Sequence, residues 1–421
     1  MILKKCSLVI TGNPSMPYLR DVDICIEDNV ITEISGKVSC RGEETVDCSG
    51  KIVMPGFVDC HTFTEDVFLL NLVDGVDGED VEEAIRRIKD GIGVAESKMY
   101  SKIVAMAAAM SGVVKVIGAC FKPFEAIKAF KDIGIGLLAG LAVFTSDELQ
   151  AAVNTVRNSF REGKERLYEL SLALMSLCDD ADWDIVKALL DEDIKVQIRP
   201  AAYRREALLF RRKHGVFPVQ YLARRNLLSG NTILTRIGWV TSWELGLIAE
   251  AGCSCVFCPI AEFTRATGGF SPVKELQKLN VNVGIGSGGA AWSGLLSFFD
   301  VLRGGLWALR SGYSSVDIRS AKIFRMATSE GKAISGGVAS RIAEGEYADL
   351  VILGGVTAAL CLSMGISPES GIVMHCSWGD VEATIVDGRI VYEKTLSRSW
   401  LEKINKLALK LKSLEGVLTE K

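Results

Sequence analysis

The sequence predicts an α/β protein: a (β/α)8 TIM-type barrel with a small β-sandwich domain built from both chain ends. Three observations carry that expectation. Eight apolar runs of strand length lie between about residues 55 and 335, each followed by a helical stretch. Residues 1 to about 54 instead alternate apolar and polar residues between turn signals. The far end returns to that alternating style in YADLVILGG and VEATIVDGRIVYE, the latter with an Asp-Gly hairpin signal. The expected division is 1–54 together with 336–421 for the sandwich, and 55–335 for the barrel.

The elements follow in order. CSLVITG, VDICIEDNVITEIS and ETVDCSGKIVMPG read as short strands separated by Gly and Asp-Asn turns. The barrel strands are IVMPGFVDC, VVKVIGAC, IGLLAGLAVF, LYELSLALM, KVQIRP, NTILTRIGWV, CSCVFCP and VNVGIGSGG. Between them lie DVEEAIRRIKDG, PFEAIKAFKDIG, SDELQAAVNTVRNSFREG, WDIVKALLDE and SWELGLIAEAG, with Asp or Ser as N-caps. SWLEKINKLALKLKSLEGVL has helical periodicity and predicts a terminal helix at about 398–416.

Composition narrows the function. The chain has 421 residues, 48% hydrophobic and 24% charged, enough for a sizeable core. A net charge of −4 without a basic block argues against nucleic acid as a partner. The most apolar run, IVAMAAAMSGVVKVIGACF, carries Lys115 and Gly breaks, so it reads as a barrel helix and strand, with no membrane partner expected. MILKKCSLVITG lacks the long apolar region of a signal peptide. Twelve scattered Cys read as reduced thiols, which gives a cytoplasmic expectation. Only three His are present: His61, His214 and His375. Any metal centre must work with these plus Cys, Asp and Glu.

Chemistry in such a barrel sits at the C-terminal ends of the strands. Those ends bring forward His61, Met175, Arg199, Arg236, Cys258, Ser287 and Gly288. VMPGFVDCHT, HGVFPVQYLARRNLLSGNTILTRIGWVTSWELGLIAEAGCSCVFCPIAE, SPVKELQKLNVNVGIGSGGAA and MATSEGKAISGG with GEYADLVIL cover nearly the whole chain. In these segments the sequence resembles the amidohydrolase superfamily, in its branch of cytosine deaminases, chlorohydrolases and S-adenosylhomocysteine-type deaminases.

The resemblance implies a metal-dependent hydrolase barrel acting on non-peptide C–N bonds. Such a site takes two His from strand 1, one each from strands 5 and 6, an Asp from strand 8, and a proton-shuttling Glu. Carried over, strand 1 keeps His61 but has Phe63 at the second position. The strand 5 His position is Arg199 and the Glu position is Ala202. The strand 6 position is Arg236 and the strand 8 Asp position is Gly288. Met175 stands where a polar His often ends strand 4. These departures lead to the expectation of a degenerate, pseudoenzyme-like site without zinc or iron, and no cofactor.

The candidate ligand-binding residues are His61, Arg199, Arg236, Glu65, Glu262 and Ser287. No catalytic residue is assigned, and His61 marks a relic position. Arg199 and Arg236 carry permanent charge, so they either bind an anion bidentately or are neutralised by internal acids. Glu65, Asp66 and Glu262 are the acids considered. Cys253, Cys255 and Cys258 read as small apolar strand residues, His214 as a surface or loop residue, and His375 as part of the β domain. The leading expectation is a metal-free homologue binding a small, anionic ligand in the barrel mouth. The alternatives are an active C–N hydrolase with a non-standard site and a structural or assembly subunit. A homodimer, common among related barrels, is the assembly considered.

Overall fold

Eight parallel strands, paired in sequence order, form the barrel: β1 (Phe57–Phe63), β2 (Val113–Cys120), β3 (Gly136–Val143), β4 (Tyr168–Leu174), β5 (Val196–Ile198), β6 (Thr232–Thr235), β7 (Ser254–Phe257) and β8 (Val283–Ile285). These come from a computed structural model, which describes residues 1–40, 44–69, 74–76, 78–163, 165–177, 181–294, 297–339 and 341–419. The strands are buried nearly throughout, which is why they read as continuous apolar runs in the sequence.

The ring closes where the chain beyond β8 comes back against β1. The Gly288 amide donates to the His61 carbonyl at 2.7 Å. Gly286 makes that approach possible, because a Cβ there would lie 2.6 Å from the His61 nitrogen. Ser287 adds a side-chain tie, donating to Asp59 Oδ2 at 2.6 Å.

Two further sheets come from the chain ends. A four-stranded sheet holds Ile2–Cys6, Val22–Glu27, Val30–Ser35 and Thr45–Asp47. A six-stranded sheet joins Leu8–Ile10, Tyr18–Leu19 and Ile52–Pro55 from the front to Leu350–Leu353, Val381–Val386 and Arg389–Glu393 from the back. Leu350 pairs antiparallel with Pro55, so the two ends meet directly in one sheet. Leu3, Val9, Ile24, Val53, Leu350 and Ile385 belong to one shared apolar core. The Asp387-Gly388 hairpin has both residues at positive φ, as that dipeptide favours. The terminal helix spans Ser397–Thr419.

One expectation about the thiols is corrected. Cys25 and Cys40 form a disulfide in the four-stranded layer, so the set is not wholly reduced. Cys253, Cys255 and Cys258 are buried and free. Among the described residues no helix is long and apolar enough to cross a membrane.

Candidate active site

His61 sits near the C-terminal end of β1 and is 1% exposed. Its Nδ1 lies 3.2 Å from Gln197 Oε1, and Gln197 Nε2 donates to the Gly118 carbonyl at 3.1 Å. That chain leaves Gln197 Oε1 as an acceptor, so Nδ1 carries the imidazole proton and Nε2 is bare. Nε2 is buried and has no hydrogen-bond partner among the described residues. Burial, followed by the Arg236 charge, drives the His61 pKa down to about 3; the Gln197 bond opposes this and Arg199 adds to it. The imidazole is therefore neutral across the physiological range.

The mouth divides into an apolar half and a cationic half. Phe63 packs with Ala119, Ala142, Ala173 and Met175, with Phe121 and Phe144 against them. Its ring centroid is 6.0 Å from that of His61. Beside this cluster, Arg199 follows β5, Arg236 follows β6, and Arg265 ends the short Pro259–Thr264 helix after β7. All three guanidinium groups converge on one carboxylate, that of Glu82 in the Gly78–Ile88 helix.

Glu82 Oε1 accepts from Arg236 Nη1, from Arg265 Nη1 at 2.8 Å and from the Tyr203 hydroxyl at 3.2 Å. Arg199 Nη1 lies 3.4 Å from Glu82 Oε2 and donates to Glu206 Oε2 at 3.0 Å, while its Nε donates to the Met175 carbonyl. Burial works to raise the Glu82 pKa, but Arg199 and Arg236 outweigh it and hold the carboxyl below its usual range. Burial likewise opposes the Arg199 charge, and Glu206 and Glu82 more than restore it. Arg265 also stacks on Trp292, 3.7 Å from the ring centroid.

The expected neutralising acids are corrected by this arrangement. The Glu65 carboxylate instead accepts from Ser97, Thr64 and the amides of Phe121 and Lys122. Asp66 accepts from the amides of Ala290 and Ala291, and burial lifts its pKa to about 8. Glu262 accepts from the Ser271 hydroxyl, and burial lifts its pKa to about 7. Ser287 is committed to Asp59. Glu65, Asp66 and Ser287 thus tie loops to strands, while Glu82 and Glu206 supply the countercharge. Ala202 contributes only its amide, which donates to Glu206 at 2.7 Å. His214 ends the Arg204–His214 helix, stacked against Phe210 and Tyr221, and His375 ends the Pro368–His375 helix.

Gln197, Glu82, Arg265 and Glu206 were not singled out from the sequence. Gln197 had a signal: it shares a strand face with Arg199 and is a polar residue in a three-residue buried strand. Glu82 had none, because Glu82 and Glu83 together resemble an ordinary solvated helix face.

Residues 52–391 match the amidohydrolase family. The chain belongs to that family. It is 28% identical over 408 residues to 5-methylthioadenosine/S-adenosylhomocysteine deaminase of Pyrococcus abyssi, covering 93% of each chain. It is 26% identical over 406 residues to 5'-deoxyadenosine deaminase of Methanothermobacter thermautotrophicus, covering 91% of this chain and 93% of the relative. Among solved structures, an adenosine deaminase from Xanthomonas campestris with bound zinc superposes with a TM-score of 0.88, at 20% identity and 98% coverage of both chains. Atrazine chlorohydrolase from Arthrobacter aurescens, complexed with zinc, gives 0.85 at 18% identity, covering 96% of this chain and 99% of that one.

These neighbours overturn the expectation of a site without zinc or iron: they hold zinc and point to a metal cofactor. The bare, buried Nε2 of His61 suits such an ion as one donor. The other family positions do not fit it as they stand. Phe63 has no donor atom, Arg199 and Arg236 are cations engaged with Glu82, and Gly288 has no side chain. Among the described residues, no three His, Cys, Asp or Glu side chains gather into a metal-holding group.

Two outcomes follow from this geometry. Unfolded His61 takes up a proton near pH 6.5, whereas the folded residue resists it to about pH 3. Its neutral form costs nothing above about pH 6.5, and stability is lost as the pH falls from there toward 3. In urea unfolding, wild type should lose about 1.4 kcal/mol per pH unit more than His61→Gln across that window. Parallel profiles would mean that His61 is not held neutral. At Gly288, φ is +75° and an added Cβ would lie 2.5 Å from the Ala261 Cβ. Gly288→Asp should cost about 1–3 kcal/mol through overpacking, with more than half recovered by adding Ala261→Gly. Equal stability of Gly288→Asp and wild type would show that the mouth has room for the acid.

Proposed function

We propose that this protein hydrolyses a non-peptide C–N bond, removing the amino group of an adenine-type ring from a barrel mouth of non-standard composition. The observation that carries this reading is similarity to deaminases over 93% of the chain, together with a bare acceptor nitrogen at the end of β1. Relatives named as deaminases of 5'-deoxyadenosine and of methylthioadenosine define the substrates to test. This reading replaces that of a metal-free pseudoenzyme.

In the reaction, water adds to the amino-bearing ring carbon and a C–O bond forms; one water proton passes to the neighbouring ring nitrogen, the other to the amino group, and the C–N bond breaks to release ammonia. His61 Nε2 can accept a hydrogen bond from the attacking water and orient it, because Gln197 fixes the ring and its tautomer. The cationic half of the mouth favours negative charge that develops on the ring during attack. The apolar half, with Phe63, Phe121 and Phe144, offers aromatic surface to a planar base.

The test is ammonia release from 5'-deoxyadenosine, 5-methylthioadenosine, S-adenosylhomocysteine and adenosine. The protein is purified without chelators, and its metal content is measured in the same batch. Turnover of at least one substrate is expected, reduced at least about 100-fold in His61→Ala. No release from any of the four, with and without added zinc, would overturn the proposal.

A further inference from the structure

We infer that Arg199, Arg236 and Arg265 form a binding site for the oxyanion of a small ligand, a carboxylate or phosphate group, which takes the place now held by the Glu82 carboxylate. The inference concerns the same mouth as the proposed hydrolysis. It does not depend on turnover, and its binding experiment can succeed where the deaminase assay fails.

The charge count is the first support. Three guanidinium groups are in ion-pair contact with two carboxylates, Glu82 and Glu206; a third acid, the buried Glu262, feels the Arg236 charge, but burial lifts its pKa to about 7, so it offsets the excess only in part. The cations are buried, at 6%, 3% and 4% residue exposure for Arg199, Arg236 and Arg265. A buried excess charge is costly; an oxyanion in the place of Glu82 keeps the countercharge, and a doubly charged one such as phosphate relieves the excess as well.

The donor count is the second. Glu82 Oε1 already accepts from Arg236, Arg265 and Tyr203. Arg236 Nη2, Arg265 Nε and Arg265 Nη2 remain buried without hydrogen-bond partners among the described residues. A guanidinium fork is satisfied by a group with several oxygens in one plane or tetrahedron, and one shared carboxylate oxygen cannot supply that. Arg236 is also held at φ +55°, a left-handed backbone that a long side chain adopts rarely. Retained strain of this kind collects at ligand sites.

The third support is the space beside the cluster. A cavity of about 410 Å³ opens beside Arg199, with Glu82, Glu83, Glu206, Arg86 and Arg205 also on its polar side and Phe144, Met175 and Leu209 on its apolar side; Arg236 and Arg265 lie behind Glu82, outside its lining. With Glu82 displaced, this space leads to the three guanidinium groups and gives room for an apolar body on the anion. Glu82 belongs to a helix between β1 and β2, not to a strand end, and 22% of its side chain is exposed. It can be exchanged without altering a barrel strand.

The experiment is calorimetric titration of the full chain with inorganic phosphate, methylphosphonate, acetate and benzoate at constant ionic strength. Saturable one-to-one binding of at least one probe is expected, tightened five-fold or more in Glu82→Gln, which removes the competing charge. Phosphate ahead of the carboxylates assigns a phosphate ligand; benzoate ahead assigns a carboxylate with an apolar body. Arg236→Lys keeps the charge and should remain folded by circular dichroism, yet should bind at least ten-fold more weakly because the fork is lost. No saturable binding by wild type or Glu82→Gln would overturn the site. Equal affinity in Arg236→Lys and wild type would overturn it as well, by placing the anion elsewhere.

Discussion

A single carboxylate, that of Glu82, allows three guanidinium groups to share one end of a barrel. Without it, Arg199, Arg236 and Arg265 would keep, among the described residues, one ion-pair partner, Glu206. Arginine cannot discharge itself by losing a proton at physiological pH, so the countercharge has to come from another group. The neighbourhood is arranged around that need. His61 stays neutral beside two permanent cations, its proton directed to Gln197. Tyr203 spends its hydroxyl on the same carboxylate.

The barrel supplies the rigidity that makes such an arrangement possible. Strand ends are fixed by the ring of parallel pairings and by the contact of Gly286 and Gly288 with His61. Buried acids elsewhere in the mouth serve the same end. Glu65 binds the amides that begin the loop after β2, and Asp66 caps the residues that follow β8. These groups read as chemistry in the sequence because they are acids beside strand ends. In the fold they satisfy backbone amides that would otherwise be buried unpaired.

The barrel was legible because parallel strands covered on both faces leave long apolar runs, and the helices between them keep a 3.6-residue period. The sandwich was legible from alternation and from the Asp387-Gly388 turn. His61, Arg199 and Arg236 were legible because strand ends point into the mouth. Glu82, Arg265 and Glu206 were not, since each belongs to a helix or its end, where charge is ordinarily solvated. Which of two adjacent acids, Glu82 or Glu83, turns inward depends on how its helix docks, and no local pattern encodes that. The metal expectation failed for a different reason: it rests on lost ligand positions and on the presence of only three His, and the zinc-bound neighbours point the other way.

The most direct measurement is a double-mutant cycle between Glu82 and Arg236, using Glu82→Gln, Arg236→Met and the pair, each followed by urea unfolding at neutral pH. If the shared carboxylate organises the mouth, Glu82→Gln alone leaves uncompensated positive charge, and adding Arg236→Met relieves part of it. The coupling should then be about 2 kcal/mol or more. Additive effects, within about 0.5 kcal/mol, would contradict the account and show that the two side chains do not depend on one another.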